Sequence, residues 1–75
     1  MKLFYVKNNI ELEFNVKTKK MIVKGEDLRR VFPIKNWESL FRLKYNLMNE
    51  WKNEGLKLSI SDIEFFDNIL IKLND

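Results

Sequence analysis

Residues 36–54 have the pattern of one long amphipathic helix, and this segment constrains the fold more than any other part of the chain. At about 100° per residue, its large apolar side chains fall within an arc of roughly 200°, and polar side chains such as Glu38 and Arg42 occupy the remainder. One neighbouring element cannot bury so wide an arc, so we expect it to be covered from more than one side. The apolar set comprises Trp37, Leu40, Phe41, Leu43, Tyr45, Leu47, Met48 and Trp51.

Both ends of this helix carry residues that favour helix termini. Asn36 can serve as the N-cap, because its side-chain oxygen can accept a hydrogen bond from the first turn. Gly55 suits the left-handed position after the last turn, and Leu56 would then contact Trp51 as in a Schellman motif. These signals predict where the helix begins and ends.

A second helix is predicted over residues 62–73. The segment 61–64, Ser-Asp-Ile-Glu, has the spacing of a capping box, and Ile60 with Phe65 has the spacing of a hydrophobic staple. Ile71 points away from the apolar stripe of this helix. The stripe comprises Ile63, Phe65, Phe66, Ile69, Leu70 and Leu73.

Residues 2–7 and 10–16 alternate between apolar and polar side chains as strands do. Asn8 and Asn9 between them predict a two-residue hairpin turn, because asparagine tolerates positive φ. In this register Lys7 faces Ile10, Tyr5 faces Leu12 and Leu3 faces Phe14. The predicted core face comprises Leu3, Tyr5, Ile10, Leu12, Phe14 and Val16.

A reversal at residues 17–20 returns the chain into a third predicted strand, 20–24. The register that keeps apolar residues on one face pairs Val16 with Met21 and Phe14 with Val23.

Residues 26–32 are predicted to form a short helix after Gly25, with its apolar residues facing inward and Pro33 closing it. Arg29 and Arg30 then lie outside, near the lysine turn at 17–20.

The predicted fold class is α+β. A three-stranded antiparallel meander is followed by the short helix and an antiparallel helix pair packed on one sheet face, in the order βββααα. A chain of 75 residues allows one domain, spanning 1–75. It contains no cysteine and no histidine, so we expect neither a metal nor a cofactor.

The net charge of +3 is unevenly distributed along the chain. Residues 17–44 hold most of the basic groups, whereas residues 58–75 hold four acidic groups, Asp62, Glu64, Asp67 and Asp75, against Lys72. Any attraction for an acidic partner therefore lies in the middle third. Its basic groups are Lys17, Lys19, Lys20, Lys24, Arg29, Arg30, Lys35, Arg42 and Lys44.

Trp37, Lys44 and Trp51 recur at heptad spacing in the long helix. A buried lysine is costly, so this side of the helix should reach the surface near Lys44. Lys44 then either extends past the tryptophan rings at the domain margin or forms a partner-binding patch with them.

The basic tract has two interpretations. Lysines at a hairpin tip protect sheet edges and keep proteins soluble. Clustered lysines and arginines are also the footprint of a phosphate-binding surface, although no nucleic-acid-binding motif is present.

Catalysis is not expected. Without histidine or cysteine a general base must be a carboxylate or a lysine, and the serines are accounted for by helix starts. Glu11 and Glu13 share a sheet face, but such pairs are usually solvated strand residues. The chain has only Gly25 and Gly55, so it lacks a glycine-rich phosphate loop.

These features predict a small non-enzymatic binding protein. It would be of the phage or mobile-element type, an inhibitor or regulator that docks on a host protein or nucleoprotein complex. Trp37, Lys44 and Trp51 would anchor the partner, and five basic residues would steer it: Lys17, Lys19, Lys20, Arg29 and Arg30.

Two alternatives remain open. The first is a nucleic-acid-binding regulator that uses the basic region 17–44. The second is a self-associating structural protein joined through Ile71 and the outer sheet face, so the chain is a monomer or a homodimer. No apolar run is long enough for a membrane span and no signal peptide is evident, so we expect a cytoplasmic location.

Overall fold

The computed structural model describes residues 1–74, in which four strands precede two helices. The strands form one antiparallel meander in the order β1-β2-β3-β4. The α+β class is therefore confirmed, with one more strand and one fewer helix than predicted. Asp75, counted in the acidic closing segment, lies outside the described residues. The elements are β1 (Lys2–Lys7), β2 (Ile10–Asn15), β3 (Lys20–Lys24), β4 (Arg29–Pro33), α1 (Trp37–Asn53) and α2 (Ile60–Leu73).

Strand β4 replaces the short helix predicted over residues 26–32, so that prediction is wrong. The Gly25 N–H donates to the Leu28 carbonyl at 2.7 Å, which closes the turn between β3 and β4. Val31 and Phe32 are residue types that favour strands. The open edge of β3 also provides hydrogen-bond partners for the backbone of alternate residues of β4. In a helix of only two turns, by contrast, many backbone groups near the two ends have no partner within the helix.

The first hairpin confirms the predicted turn and register. Asn8 and Asn9 have φ values of 50° and 64°, the positive values that a type I′ turn requires. Lys7 pairs with Ile10, and the remaining pairs follow as predicted.

The second hairpin has a different register from the predicted one, because Phe14 pairs with Met21 rather than with Val23. The Asn15 side-chain oxygen accepts hydrogen bonds from the backbone N–H groups of Lys17 at 2.9 Å and Thr18 at 3.1 Å. This asparagine therefore closes a four-residue loop at 16–19, one position earlier than the predicted loop 17–20. The register differs by two residues, so every side chain keeps its predicted face.

Both helices pack on the predicted core face of the sheet, and the opposite face carries no helix in residues 1–74. Leu3, Tyr5, Ile10 and Val16 lie partly buried around the core. Burial of these apolar side chains is the main stabilising contribution to the fold. The buried core comprises Leu12, Phe14, Met21, Val23, Ile34, Leu40, Leu43, Leu47, Trp51, Phe65, Phe66 and Ile69.

Helix α1 begins and ends with the predicted caps. The Asn36 side-chain oxygen accepts a hydrogen bond from the Ser39 N–H at 3.0 Å. Gly55 has φ 82°, and its N–H donates to the Lys52 carbonyl at 3.0 Å. The Leu56 N–H donates to the Trp51 carbonyl at 2.8 Å, which completes the Schellman motif.

Helix α2 begins two residues earlier than predicted. Its N-cap is Ser59, and the capping box joins Ser59 to Asp62 rather than Ser61 to Glu64. In this box the Asp62 side chain accepts a hydrogen bond from the Ser59 N–H at 3.0 Å. The Asp62 side chain is also buried. Ile63 is consequently exposed at the margin of the core, and Ile71 points outward as predicted.

Candidate functional site

The sheet and α2 enclose only part of the apolar arc of α1. The buried side chains of α1 span roughly 80° of the helical wheel. Beside them, Trp37 is 56% exposed, Phe41 43% and Tyr45 67%. The prediction that the whole arc is covered is therefore wrong. The side chains of α1 that the core does bury are Leu40, Leu43, Leu47 and Trp51.

The exposed Trp37, Phe41 and Tyr45 form one surface with the half-buried Lys44, and these four residues are called here the aromatic stripe. The rings of Trp37 and Phe41 meet edge to face, with centroids 5.6 Å apart. The Lys44 Nζ lies 5.5 Å from the Phe41 ring centroid, within the range of a cation–π contact. Spacings of three and four residues place all of these side chains on one face of the helix.

The structure separates the predicted trio of Trp37, Lys44 and Trp51. Trp37 and Lys44 belong to the aromatic stripe. Trp51 is only 2% exposed, because it packs in the core under the sheet and α2. It therefore lies outside the exposed patch that the heptad spacing predicts, and it lines a groove instead.

This groove lies between the C-terminal half of α1 and the segment 54–59, and its volume is about 470 Å³. Tyr45 lines it and also belongs to the aromatic stripe, so the two surfaces are continuous. The groove combines an apolar wall with basic side chains. Its apolar lining residues are Met48, Trp51, Leu56 and Leu58, and its basic ones are Lys7, Lys52 and Lys57.

A buried carboxylate joins the sheet to α2 at one end of this groove. Asp62 is fully buried, and its Oδ1 accepts a hydrogen bond from the Tyr5 hydroxyl. Its Oδ2 accepts from the Lys7 Nζ and from the Ser59 N–H. The carboxylate is therefore paired with a cation and hydrogen-bonded on both oxygens, which a buried charge requires.

Lys7 connects this network to α1 and to the segment before α2. Its Nζ also donates to the Lys57 carbonyl at 2.9 Å and lies 4.8 Å from the centroid of the Trp51 ring. The Lys7 side chain of β1 thus contacts α1, the segment before α2 and α2 itself at one end of the groove.

The network shifts two pKa values in opposite directions. Burial acts to raise the pKa of Asp62, but hydrogen bonds from Lys7, Tyr5 and Ser59 outweigh it and hold the pKa below its usual range. Burial and the hydrogen bond to Asp62 raise the pKa of the Tyr5 hydroxyl. Both shifts favour an ionised Asp62 beside a neutral Tyr5.

We expect the network to make stability depend on pH at both extremes. The lowered pKa of Asp62 gives a contribution that is present above about pH 4 and lost as pH falls through the folded-state pKa. The raised pKa of Tyr5 gives one that is present below about pH 10 and lost as pH rises through the folded-state value. Urea unfolding across this pH range should show that Tyr5→Phe loses less stability at alkaline pH than the parent chain. Equal alkaline losses would contradict the assignment.

The basic residues of the predicted tract lie at opposite ends of the sheet. The lysine turn occupies one end, around the loop 16–19. Arg29 pairs with Lys24 at the far end of β3, so the prediction that Arg29 and Arg30 lie near the lysine turn is wrong. These two arginines also extend to opposite faces, because they are adjacent in a strand. Lys17, Lys19 and Lys20 are exposed at the first end.

Glu11 and Glu13 lie on the sheet face that the helices leave open. Glu13 is 3.8 Å from the Lys2 Nζ, and Glu11 is opposite Lys24. Each carboxylate thus has a basic neighbour in the sheet. Within residues 1–74, no three acidic side chains are arranged to hold a metal ion.

Lys7 and Asp62 were not among the predicted site residues, although the sequence contains one signal for them. Lys7 alternates in phase with Leu3 and Tyr5, which places it on the core face. A lysine on that face needs a buried anionic partner, and Asp62 lies three residues after Ser59 in a capping position.

The chain matches no protein-family model, no curated protein and no solved structure. Within residues 1–74, neither helix combines the length and apolar character needed to cross a membrane. Function is therefore inferred from the exposed surfaces of the fold.

Proposed function

We propose that this chain is a non-enzymatic protein-binding module that docks through the aromatic stripe on a larger protein. The observation that carries the proposal is the exposure of Trp37, Phe41 and Tyr45 on one face of α1, beside a core that is already packed. Exposed aromatic side chains in a contiguous patch are typical of protein-binding sites, and tryptophan and tyrosine are enriched among the residues that dominate binding energy.

The stripe is also held rigidly, which favours binding. The adjacent side of α1 is held in the core by Leu43 and Leu47, and both ends of the helix are capped. A partner therefore need not order the backbone of this helix, so less conformational entropy is lost on association. We infer that α1 enters an apolar cleft of the partner, in the manner of helix-in-groove recognition.

Charges around the stripe indicate what borders that cleft. Lys44 lies beside Phe41, so an acidic side chain at the edge of the cleft would pair with its ammonium group. The exposed lysines Lys17, Lys19 and Lys20 would accelerate encounter with a negatively charged partner surface. The module would act by occupying that surface, as an inhibitor or regulator does.

The proposal is tested by comparing variants in capture from a lysate of the source cells. The double variant Trp37→Ala/Tyr45→Ala should bind the captured partner at least about 100-fold more weakly than the parent chain, since two such truncations can remove several kcal/mol. The control is Ile71→Ala, because Ile71 is 57% exposed but lies on α2. It should bind as the parent does.

Three results would overturn the proposal: recovery of no partner, equal recovery by all three proteins, or equal loss by the Ile71→Ala control. Sedimentation of the parent chain adds a separate check. Self-association that Trp37→Ala/Tyr45→Ala abolishes would assign the stripe to a second copy of the chain instead.

A further inference from the structure

The groove beside α1 differs in chemistry from the aromatic stripe. Its volume of about 470 Å³ falls within the range of roughly 300–1,000 Å³ that is typical of small-molecule sites. Met48, Leu56 and Leu58 give it an apolar lining, and Leu58 is itself exposed there. An apolar ligand would therefore remove apolar protein surface from water.

The charges of the groove are not balanced. Lys7, Lys52 and Lys57 line it with Asp62, which gives these four residues a net charge of +2. Asp62 pairs with Lys7. Lys52 and Lys57 are exposed and have no carboxylate partner within residues 1–74. An anionic group at the mouth of the groove would pair with both.

The tryptophan that lines the groove carries a buried hydrogen-bond donor without a partner in residues 1–74. Trp51 lines the groove, and its buried Nε1–H has no acceptor within residues 1–74. Buried donors are normally paired. This donor is itself buried, so the exposed ammonium groups of Lys52 and Lys57 are what the groove offers to a ligand, and they favour one with an anionic oxygen group.

We propose that the groove binds a small amphipathic carboxylate, a molecule with one unbranched apolar chain and one terminal carboxylate. The chain lies against Met48, Leu56 and Leu58, and the carboxylate lies between the ammonium groups of Lys52 and Lys57. The groove adjoins the aromatic stripe at Tyr45, but the residues assigned to the ligand lie outside the stripe, so the proposal does not depend on the docking of α1.

Decanoate is the probe, used below the concentration at which it forms micelles. In a Trp37→Phe background, Trp51 is the remaining tryptophan, so its fluorescence reports on the groove wall. Isothermal titration calorimetry gives a second readout. We expect saturable binding of decanoate and none of decyltrimethylammonium, which has an apolar chain one carbon longer and a positive head group.

Charge reversal identifies the residues responsible. Lys52→Glu/Lys57→Glu should weaken decanoate binding at least tenfold. Lys35→Glu/Arg42→Glu makes the same change in net charge at exposed positions outside the groove and should bind as the background does. Circular dichroism checks that each variant is folded.

The alternatives give distinct results. Absence of saturable decanoate binding by both readouts would overturn the proposal. Equal binding of the cationic amphiphile would show a merely apolar surface, and equal weakening by both charge reversals would show a long-range effect of net charge. Either result also overturns the proposed site.

Discussion

Replacing Asp62 with alanine is expected to lower the free energy of unfolding by about 3–5 kcal/mol, the usual cost of breaking a buried ion pair by removing one partner. The substitution leaves the Lys7 ammonium largely buried without its counter-ion, since the Lys7 side chain is only 15% exposed. It also removes the acceptor of the Tyr5 hydroxyl and of the Ser59 N–H. Urea denaturation followed by circular dichroism measures the loss.

The effect should be close to the whole stability of the domain. Natural domains are stable by about 5–15 kcal/mol, and a chain this short lies towards the lower end. Asp62→Ala should therefore retain no more than about 2 kcal/mol of stability, so that up to about half of the molecules are unfolded in dilute buffer. Asp67→Ala is the matched control, because Asp67 lies on the same helix and is exposed. A loss below about 1 kcal/mol for Asp62→Ala, equal to that of a typical hydrogen bond, would contradict the buried network.

Replacing Trp51 with alanine is expected to cost a similar amount, about 3–5 kcal/mol, as other large aromatic-to-alanine changes in cores do. Trp51 is the largest of the fully buried side chains, so its truncation leaves a cavity among packed neighbours. The change also removes the ring beside the Lys7 ammonium. Chemical denaturation measures the loss of stability.

Trp37→Ala is the control for this change, because it removes the same side chain from the same helix at an exposed position. It should alter the free energy of unfolding by less than about 1 kcal/mol. Comparable losses for Trp37→Ala and Trp51→Ala would contradict the assignment of Trp51 to the core and Trp37 to the surface.

Trp51→Phe separates packing from hydrogen bonding at the same site. It shortens the ring but also removes the buried Nε1–H that has no partner in residues 1–74, and an unpaired donor costs about 1–3 kcal/mol. Trp51→Phe should therefore lose much less stability than Trp51→Ala. A loss as large as that of Trp51→Ala would contradict this expectation.

Features that depend on a few neighbouring residues were predictable from the sequence. The turn at Asn8 and Asn9 and the ends of α1 at Asn36 and Gly55 were found at the predicted positions. Each is decided by backbone angles and hydrogen bonds that close within one turn of the chain. The core face of the sheet was predictable for a similar reason, since alternation fixes which side chains share a face.

Features for which the backbone has alternative hydrogen-bond partners were not predictable in the same way. Residues 29–33 can satisfy their backbone in more than one conformation, and the open edge of β3 decided in favour of a strand. The loop 16–19 was set by side-chain hydrogen bonds of Asn15, which strand alternation does not report. In both cases the alternative local conformations have similar energies. Contacts with the rest of the fold therefore decide which one forms.

The class of fold, the core face of the sheet and the apolar arc of α1 all follow from the order of the residues along the chain. The packing of the whole chain covers Leu43 and Leu47 and leaves Trp37 and Phe41 outside. Periodicity does not predict this difference, because it gives the apolar arc of the helix but not how much of that arc the neighbouring elements contact. The packing also brought Lys7 to Asp62 across 55 positions of the chain. The physical reason is that a buried charge is stable only beside its counter-ion, and the folded chain alone places the two together.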